Sequence, residues 1–207
     1  MCPLRRPDPR SVRELVEGLE ASHFNERALA LAELVARGRA SSAALVEALA
    51  TARGELRARV AQALAEIADP ASADVLAALL DEADEQLRAR GAQGLVRIGD
   101  ARALEALLRT IDDYPDILRE PDTLSTDGLT DLGPAVLPRV VPLLKAPGLM
   151  TRARAFLVVR RLVPRLAAAY DWQQLWVELG RYLPDAPQPQ RDAAADQWIA
   201  WVGRQSS

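Results

Sequence analysis

Across residues 54–113 apolar residues recur every three or four positions, the spacing that places them on one face of a helix. Leu56, Val60, Leu64 and Ile67 share one side of a predicted helix, and Arg59, Gln62 and Glu66 share the other. Asp69-Pro70 is expected to stop it, because a proline disfavours helical geometry in the residue before it. A shorter helix follows, with Ser72 as its expected cap and Val75, Leu76, Leu79 and Leu80 as its apolar face. Together the two make a helical hairpin of about thirty residues.

The chain then writes the hairpin again. LRARVAQALAEIAD (56–69) returns thirty-one positions later as LRARGAQGLVRIGD (87–100), identical at nine of fourteen positions, with ARALEALLRTI (101–111) behind it. The second connector is three residues shorter, since Asp100 matches Asp69 while Leu107-Leu108 matches Leu79-Leu80. An earlier copy fits NERALALAELVARG (25–38) and SSAALVEALA (41–50), and a later one fits GLTDLGPAVLPRVVPLL (128–144). LMTRARAFLVVRRLV (149–163) supplies a further leading helix, and DYPDILREPDTL (113–124) reads as an irregular insertion. A hairpin with one apolar face cannot bury that face alone, so neighbouring copies must stack. The predicted fold is therefore all-α: an α/α solenoid of about five helical hairpins over residues 11–182. A capping helix is expected over 11–20, a disordered tail over 1–10, and a final capping helix over 187–204.

In these words, LRARVAQALAEIAD followed by ADVLAALLDEADEQ, then LRARGAQGLVRIGD followed by ARALEALLRTIDD, the chain resembles HEAT repeats of the bacterial kind named after phycobilisome lyases. LGPAVLPRVVPLLKAPG (132–148) looks like another piece of the pattern, and the resemblance fades beyond residue 170. It implies a superhelix whose Arg-headed helices line a concave surface. Most such repeat proteins are protein-binding scaffolds. A minority attach or detach bilin chromophores, hydroxylate a modified lysine at an iron site, or excise alkylated DNA bases. A repeat class carries no activity by itself.

Composition narrows the choice of partner. The net charge is −3 with a pI near 5.4, so no overall basic field draws the chain to nucleic acid, and no nucleic-acid partner is expected. Cys2 is the only cysteine, which excludes an internal disulfide. The start lacks a signal peptide's apolar run, and no stretch nears the roughly 18 apolar residues that span a bilayer. A cytoplasmic protein with no membrane partner is the expectation. Aromatic residues make up only 4%, so helices of Ala and Leu are expected to pack closely.

Three sets of residues are candidates for a role. Arg27, Arg57, Arg88 and Arg152 head equivalent helices, and their guanidinium groups are expected to meet Asp69, Asp81, Asp84 or Asp100 as a structural ladder. The outer stripe of the same helices carries Arg59, Gln62, Arg90, Gln93, Arg97, Asp127, Asp131, Arg154 and Arg161. That stripe either binds a protein partner with an acidic surface or neutralises itself, with Asp127 and Asp131 pairing with Arg97 and Arg154. Trp172, Trp176, Trp198 and Trp201 lie in the last 36 residues, either as a C-terminal cap or as an aromatic contact surface. His23 is the only histidine and is expected at a helix start in solvent; with no metal-ligand motif and no phosphate loop, neither metal nor cofactor is expected. Ser41-Ser42 and Ser125-Thr126 have no histidine to activate them. The expected function is a non-enzymatic protein-interaction scaffold. A bilin lyase-like protein and a HEAT-like DNA glycosylase are the alternatives.

Overall fold

The structure, a computed structural model, describes residues 8–166 and 171–205. Most of the expected N-terminal tail, Cys2 included, and Tyr170 lie outside the described residues. The chain divides into two compact units, Met1–Asp100 and Ala101–Ser207. Among the described residues every regular element is helical, and the one strand-like pairing is a bridge between Pro115 and Thr123.

The first unit runs α1 (Val12–Gly18), α2 (Phe24–Arg37), α3 (Ser42–Thr51), α4 (Gly54–Ile67), α5 (Ala73–Ala78) and α6 (Glu85–Ile98). Ser11 and Glu14 form a capping box at α1, each side chain bonding the other's backbone N–H. Residues 8–10, expected in a loose tail, are instead tied to α2: the Arg37 guanidinium donates to the carbonyls of Asp8 and Arg10 at 2.8 and 2.7 Å.

α4 packs against both α3 and α6, and this changes what its sequence means. Val60 and Leu64 are buried as expected, but so are Ala58, Ala61, Ala63 and Ala65. Alanine periodicity carries little hydrophobic signal, yet small side chains are what let a helix be covered on several faces. Leu56 and Ile67, placed on the core side by spacing, are only half-buried. In α6 the same economy goes further. A Cβ at Gly91 would stand 2.5 Å from the Leu76 carbonyl oxygen, and one at Gly94 would stand 2.7 Å from the Leu76 side chain. These two glycines allow α5 to lie against α6 at backbone distance.

Helix ends follow the two written copies closely. α6 closes on Gly99 in the left-handed region, with Gly99 N–H on the Val96 carbonyl and Asp100 N–H on the Leu95 carbonyl, a Schellman pair. α4 closes on Ala68, also left-handed at φ 52°, with its N–H on Leu64. Asp69-Pro70 therefore does not end α4. Pro70 opens a short 3₁₀ turn (Pro70–Ser72), and Asp69 caps that turn by accepting from Ala71 N–H at 3.2 Å. Ser72, the expected cap, makes no capping bond and is buried.

The second unit runs α7 (Ala103–Arg109), α8 (Leu124–Leu132), α9 (Leu137–Val140), α10 (Leu149–Leu166), α11 (Trp172–Glu178) and α12 (Gln188–Gln205). α8 begins four residues earlier than the repeat pattern suggested, because Thr123 and Thr126 form a capping box there. Ser125 bonds Thr110 at 2.7 Å inside the core. The helix after α8 is mostly 3₁₀, since Pro134, Pro138 and Pro142 remove the donors a longer α-helix needs. The insertion 113–124 is a hydrogen-bonded loop, with Asp116 N–H on the Asp122 carbonyl and Asp122 N–H on the Arg119 carbonyl.

An Arg stands fourth in α2, α4, α6 and α10, and at three of these its head turns back to the same place. Arg27 donates to the carbonyls of Ala21 and Ser22, Arg88 to those of Glu82 and Ala83, and Arg152 to those of Ala146 and Pro147, all between 2.7 and 3.0 Å. Each acceptor pair lies five and six residues upstream, in the connector just passed. Arg57 departs from the rule: it reaches Glu82 at 2.5 Å, and Arg53 takes the carbonyls of Thr51 and Ala52 in its place. At these three positions the arginines satisfy backbone carbonyls of the connector. Asp69 and Asp84 serve as caps, Asp84 accepting from Gln86 N–H at 2.8 Å.

Ala68 and Gly99 hold one position in the two copies, and only glycine occupies the left-handed region without steric cost. Ala68→Gly is expected to stabilise the chain by about 0.5–1 kcal/mol, read as a higher denaturant midpoint at unchanged slope. A midpoint at or below that of the parent chain contradicts the assigned conformation.

Candidate functional site

In the first unit, packing leaves one row of α4 open. Between Glu55 and Glu66 the residues not buried there include Arg59 and Gln62, both half-exposed. α6, packed beside α4 and thirty-one residues on, leaves the equivalent row: Arg90 and Gln93 half-exposed, then Arg97 exposed. The first-unit part of the predicted stripe is therefore the face that the stacking of α3, α4, α5 and α6 does not use.

The stripe is ordered by its own contacts. Arg59 donates to the Leu19 carbonyl at 3.0 Å and to Glu55 at 3.1 Å. Gln62 donates to Glu66 at 2.8 Å, and Arg90 to the Gln93 side-chain oxygen at 3.0 Å. Arg59 and Gln62 also line a groove of about 340 Å³ whose remaining walls are Leu19, Phe24, Arg27, Ala28 and Leu31. Phe24 is 72% exposed there, as the first residue of α2, with His23 exposed at the preceding cap position. Sequence reasoning passed over Phe24, because an aromatic at a helix start has no periodic partner to mark it as surface or core. The groove offers an apolar floor, a fixed guanidinium and a side-chain amide in one place.

The second unit gives its part of the stripe a different use. Arg154 is only 4% exposed: it donates to Asp112 Oδ1 at 2.7 Å and to the Pro121 carbonyl at 3.1 Å. It holds the insertion to α10 and presents nothing to a partner, which corrects its expected role. Arg161 pairs with Asp122 at 2.6 Å and with Asp127 at 3.2 Å. Asp127 is reached by Arg119 as well, at 3.8 Å. Burial, and then the neighbouring Asp122, push the Asp127 carboxyl above the usual carboxylate range, against the pull of Arg161 and Arg119. Asp131 remains exposed, one turn on from Asp127. The expected self-neutralising pairs, Asp127 with Arg97 and Asp131 with Arg154, are replaced by these. The reason is the insertion, which supplies Asp116, Arg119 and Asp122 at a point where the repeat pattern has nothing to say.

Asp69, in the first unit, lies at Arg39, 3.7 Å away, and its Oδ1 accepts from the Ala71 N–H. Asp100 contributes its N–H to the end of α6.

The tryptophans gather in the second unit. Trp198 is fully buried and stacks on Trp172 with centroids 5.5 Å apart; Trp201 meets its edge at 6.1 Å. Phe156 of α10 sits 5.9 Å from Trp172 and 5.0 Å from Tyr182. Trp176 donates from Nε1 to the Tyr182 carbonyl at 3.0 Å, and the Tyr182 hydroxyl donates to Leu144 at 2.6 Å. Burial raises the Tyr182 hydroxyl to about 12. These rings pack against α10 and one another, which is the arrangement of a core.

Among the described residues no three His, Cys, Asp or Glu side chains are grouped to hold a metal ion. No described helix is long and apolar enough to cross a membrane.

The family model for HEAT repeats matches residues 42–121. No curated protein matches the chain in sequence. Among solved structures, a chain from the complex of CpcE and CpcF of phycocyanin lyase from Nostoc sp. PCC7120 is 18% identical, over 98% of this chain and 96% of that one, with a TM-score of 0.48. An engineered protein is 17% identical, over 95% of this chain and 98% of its own, with a TM-score of 0.44. Among the described residues the chain is all-α, and its residues 42–121 are similar to HEAT repeats.

Proposed function

We propose that the chain is a non-enzymatic protein-interaction module, and that its first unit binds a partner through the open row of α4 and α6. The observation that carries this reading is the groove beside that row, where exposed Phe24 stands over Leu31 and Ala28 with Arg59 and Gln62 on its rim. An exposed aromatic beside a guanidinium is the chemistry of a binding hot spot. The partner presents a carboxylate-bearing segment with an apolar residue: the apolar group covers Phe24, and Asp or Glu side chains meet Arg59, Arg90 and Arg97.

Two features favour binding over mere exposure. Arg59 is already held by Leu19 and Glu55, so little side-chain freedom is lost when a ligand arrives. Arg97 is exposed at the end of the row and stays available for rim contacts that steer an acidic partner and set the salt dependence of association.

The test is affinity capture from host lysate with quantitative mass spectrometry, comparing the parent chain with Phe24→Ser/Arg97→Glu. Both residues are exposed, so the variant is expected to unfold at the parent temperature within about 2 °C. A protein enriched by the parent and reduced about tenfold or more with the variant supports the reading. No enriched protein, or enrichment equal in both, removes it.

A further inference from the structure

The insertion in the second unit has a surface of its own. Between residues 112 and 131 the sequence places seven acidic residues against one base, Arg119. Arg154 and Arg161 answer some of that charge, but Glu120 and Asp131 are exposed with no ion-pair partner among the described residues. At the tip of the same loop, Ile117 and Leu118 are 84% and 89% exposed. Two adjacent aliphatic side chains so fully in water, on a loop fixed by its own backbone hydrogen bonds, contribute nothing to folding.

The loop has a groove on each side. One, of about 460 Å³, runs from Ile117 and Leu118 to Leu124 and Asp127. The other, of about 360 Å³, lies between Glu120 and Asp185 with Leu149, Met150 and Ala153 as its floor. On α8, Leu124, Asp127 and Asp131 follow at three- and four-residue spacing, so they share one face of the helix. Both grooves therefore combine apolar residues with carboxylates, beside Arg119 in the first, where the row on α4 and α6 carries mainly Arg and Gln.

We infer that this loop is a second docking surface, and that it takes a basic, apolar segment of a protein partner. Apolar side chains of that segment cover Ile117, Leu118 and Leu124. Its Lys or Arg side chains meet Asp127 and Asp131 on one side of the loop, with Glu120 and Asp185 receiving any that fall on the other. A cation there is attracted by the neighbouring carboxylates of Asp122 and Asp127, whose mutual repulsion Arg161 and Arg119 offset. The charge of the surface excludes an acidic ligand, because each carboxylate of such a ligand adds to that repulsion. The binding reading of the first unit is independent of this one.

The probe is a library of random twelve-residue peptides displayed on phage and panned on the immobilised full chain. Enriched sequences are then made with a fluorescent label and titrated in solution. The expected result is enrichment of sequences joining Arg or Lys to Leu, Ile or Phe. Their affinity is expected to fall about tenfold or more with Ile117→Ser/Leu118→Ser and to change less than about twofold with Arg97→Glu. Asp131→Asn is expected to flatten their salt dependence. Because Ile117, Leu118 and Asp131 are exposed, all these variants should keep the parent's thermal unfolding. Acidic consensus sequences, no enrichment, or binding indifferent to Ile117→Ser/Leu118→Ser overturns the inference. So does sedimentation showing that the chain pairs with a second copy and that the double substitution separates the pair.

Discussion

Each helical hairpin has to be fixed to the next at a point where the backbone runs out of hydrogen-bond partners. The connector from one helix to the next carries carbonyls that no helical N–H reaches. Arg27, Arg88 and Arg152 meet this need in one geometry, each donating to two carbonyls five and six residues behind it. A guanidinium suits the task because it is flat, always charged, and carries donors spaced to bridge two neighbouring oxygens. At the remaining first-unit joint, Arg53 performs the same act from the cap position and frees Arg57 for Glu82. The packing that leaves one row of α4 and α6 open is only as definite as these joints.

The fourth leading helix lacks the clasp, and its surroundings differ accordingly. Asp127 stands fourth in α8, where the others carry Arg, and a carboxylate cannot donate to a carbonyl. The joint before α8 is closed by other means: Thr123 bonds the Ile111 carbonyl at 3.1 Å, and Arg154 reaches in from α10 to Asp112 and Pro121. Asp127 is left as an acceptor and gathers Arg161 and Arg119. The change of sign at this repeated position adds one carboxylate to those the insertion supplies, Asp116, Glu120 and Asp122, and together they make this surface acidic.

Much of the fold was legible because it is written twice. Matching Leu64 with Leu95, and Ala68-Asp69 with Gly99-Asp100, gives the hairpin, its length and its end without reference to any contact. The stripe was legible for the same reason in α4 and α6, where the repeat holds. It failed at Arg154, whose spacing is that of an outer residue but whose burial depends on Asp112 and Pro121, both delivered by an irregular segment. Periodicity also could not say that the ladder arginines seek carbonyls, since backbone acceptors leave no mark in a sequence and Asp69 and Asp84 looked equally apt. Phe24 and Leu118 were missed because exposure of an apolar residue is known only once every neighbour has been placed.

The most direct test of the clasp is to remove the guanidinium and keep most of the aliphatic stem, with Arg88→Met and Arg152→Met measured separately by chemical denaturation of the full chain. Each arginine donates at least two charge-assisted bonds to carbonyls of the preceding connector, so each change should cost about 1.5 kcal/mol or more. Losses under about 0.5 kcal/mol at both positions would be those of ordinary surface substitutions, and would mean that the joints are held by apolar contact alone.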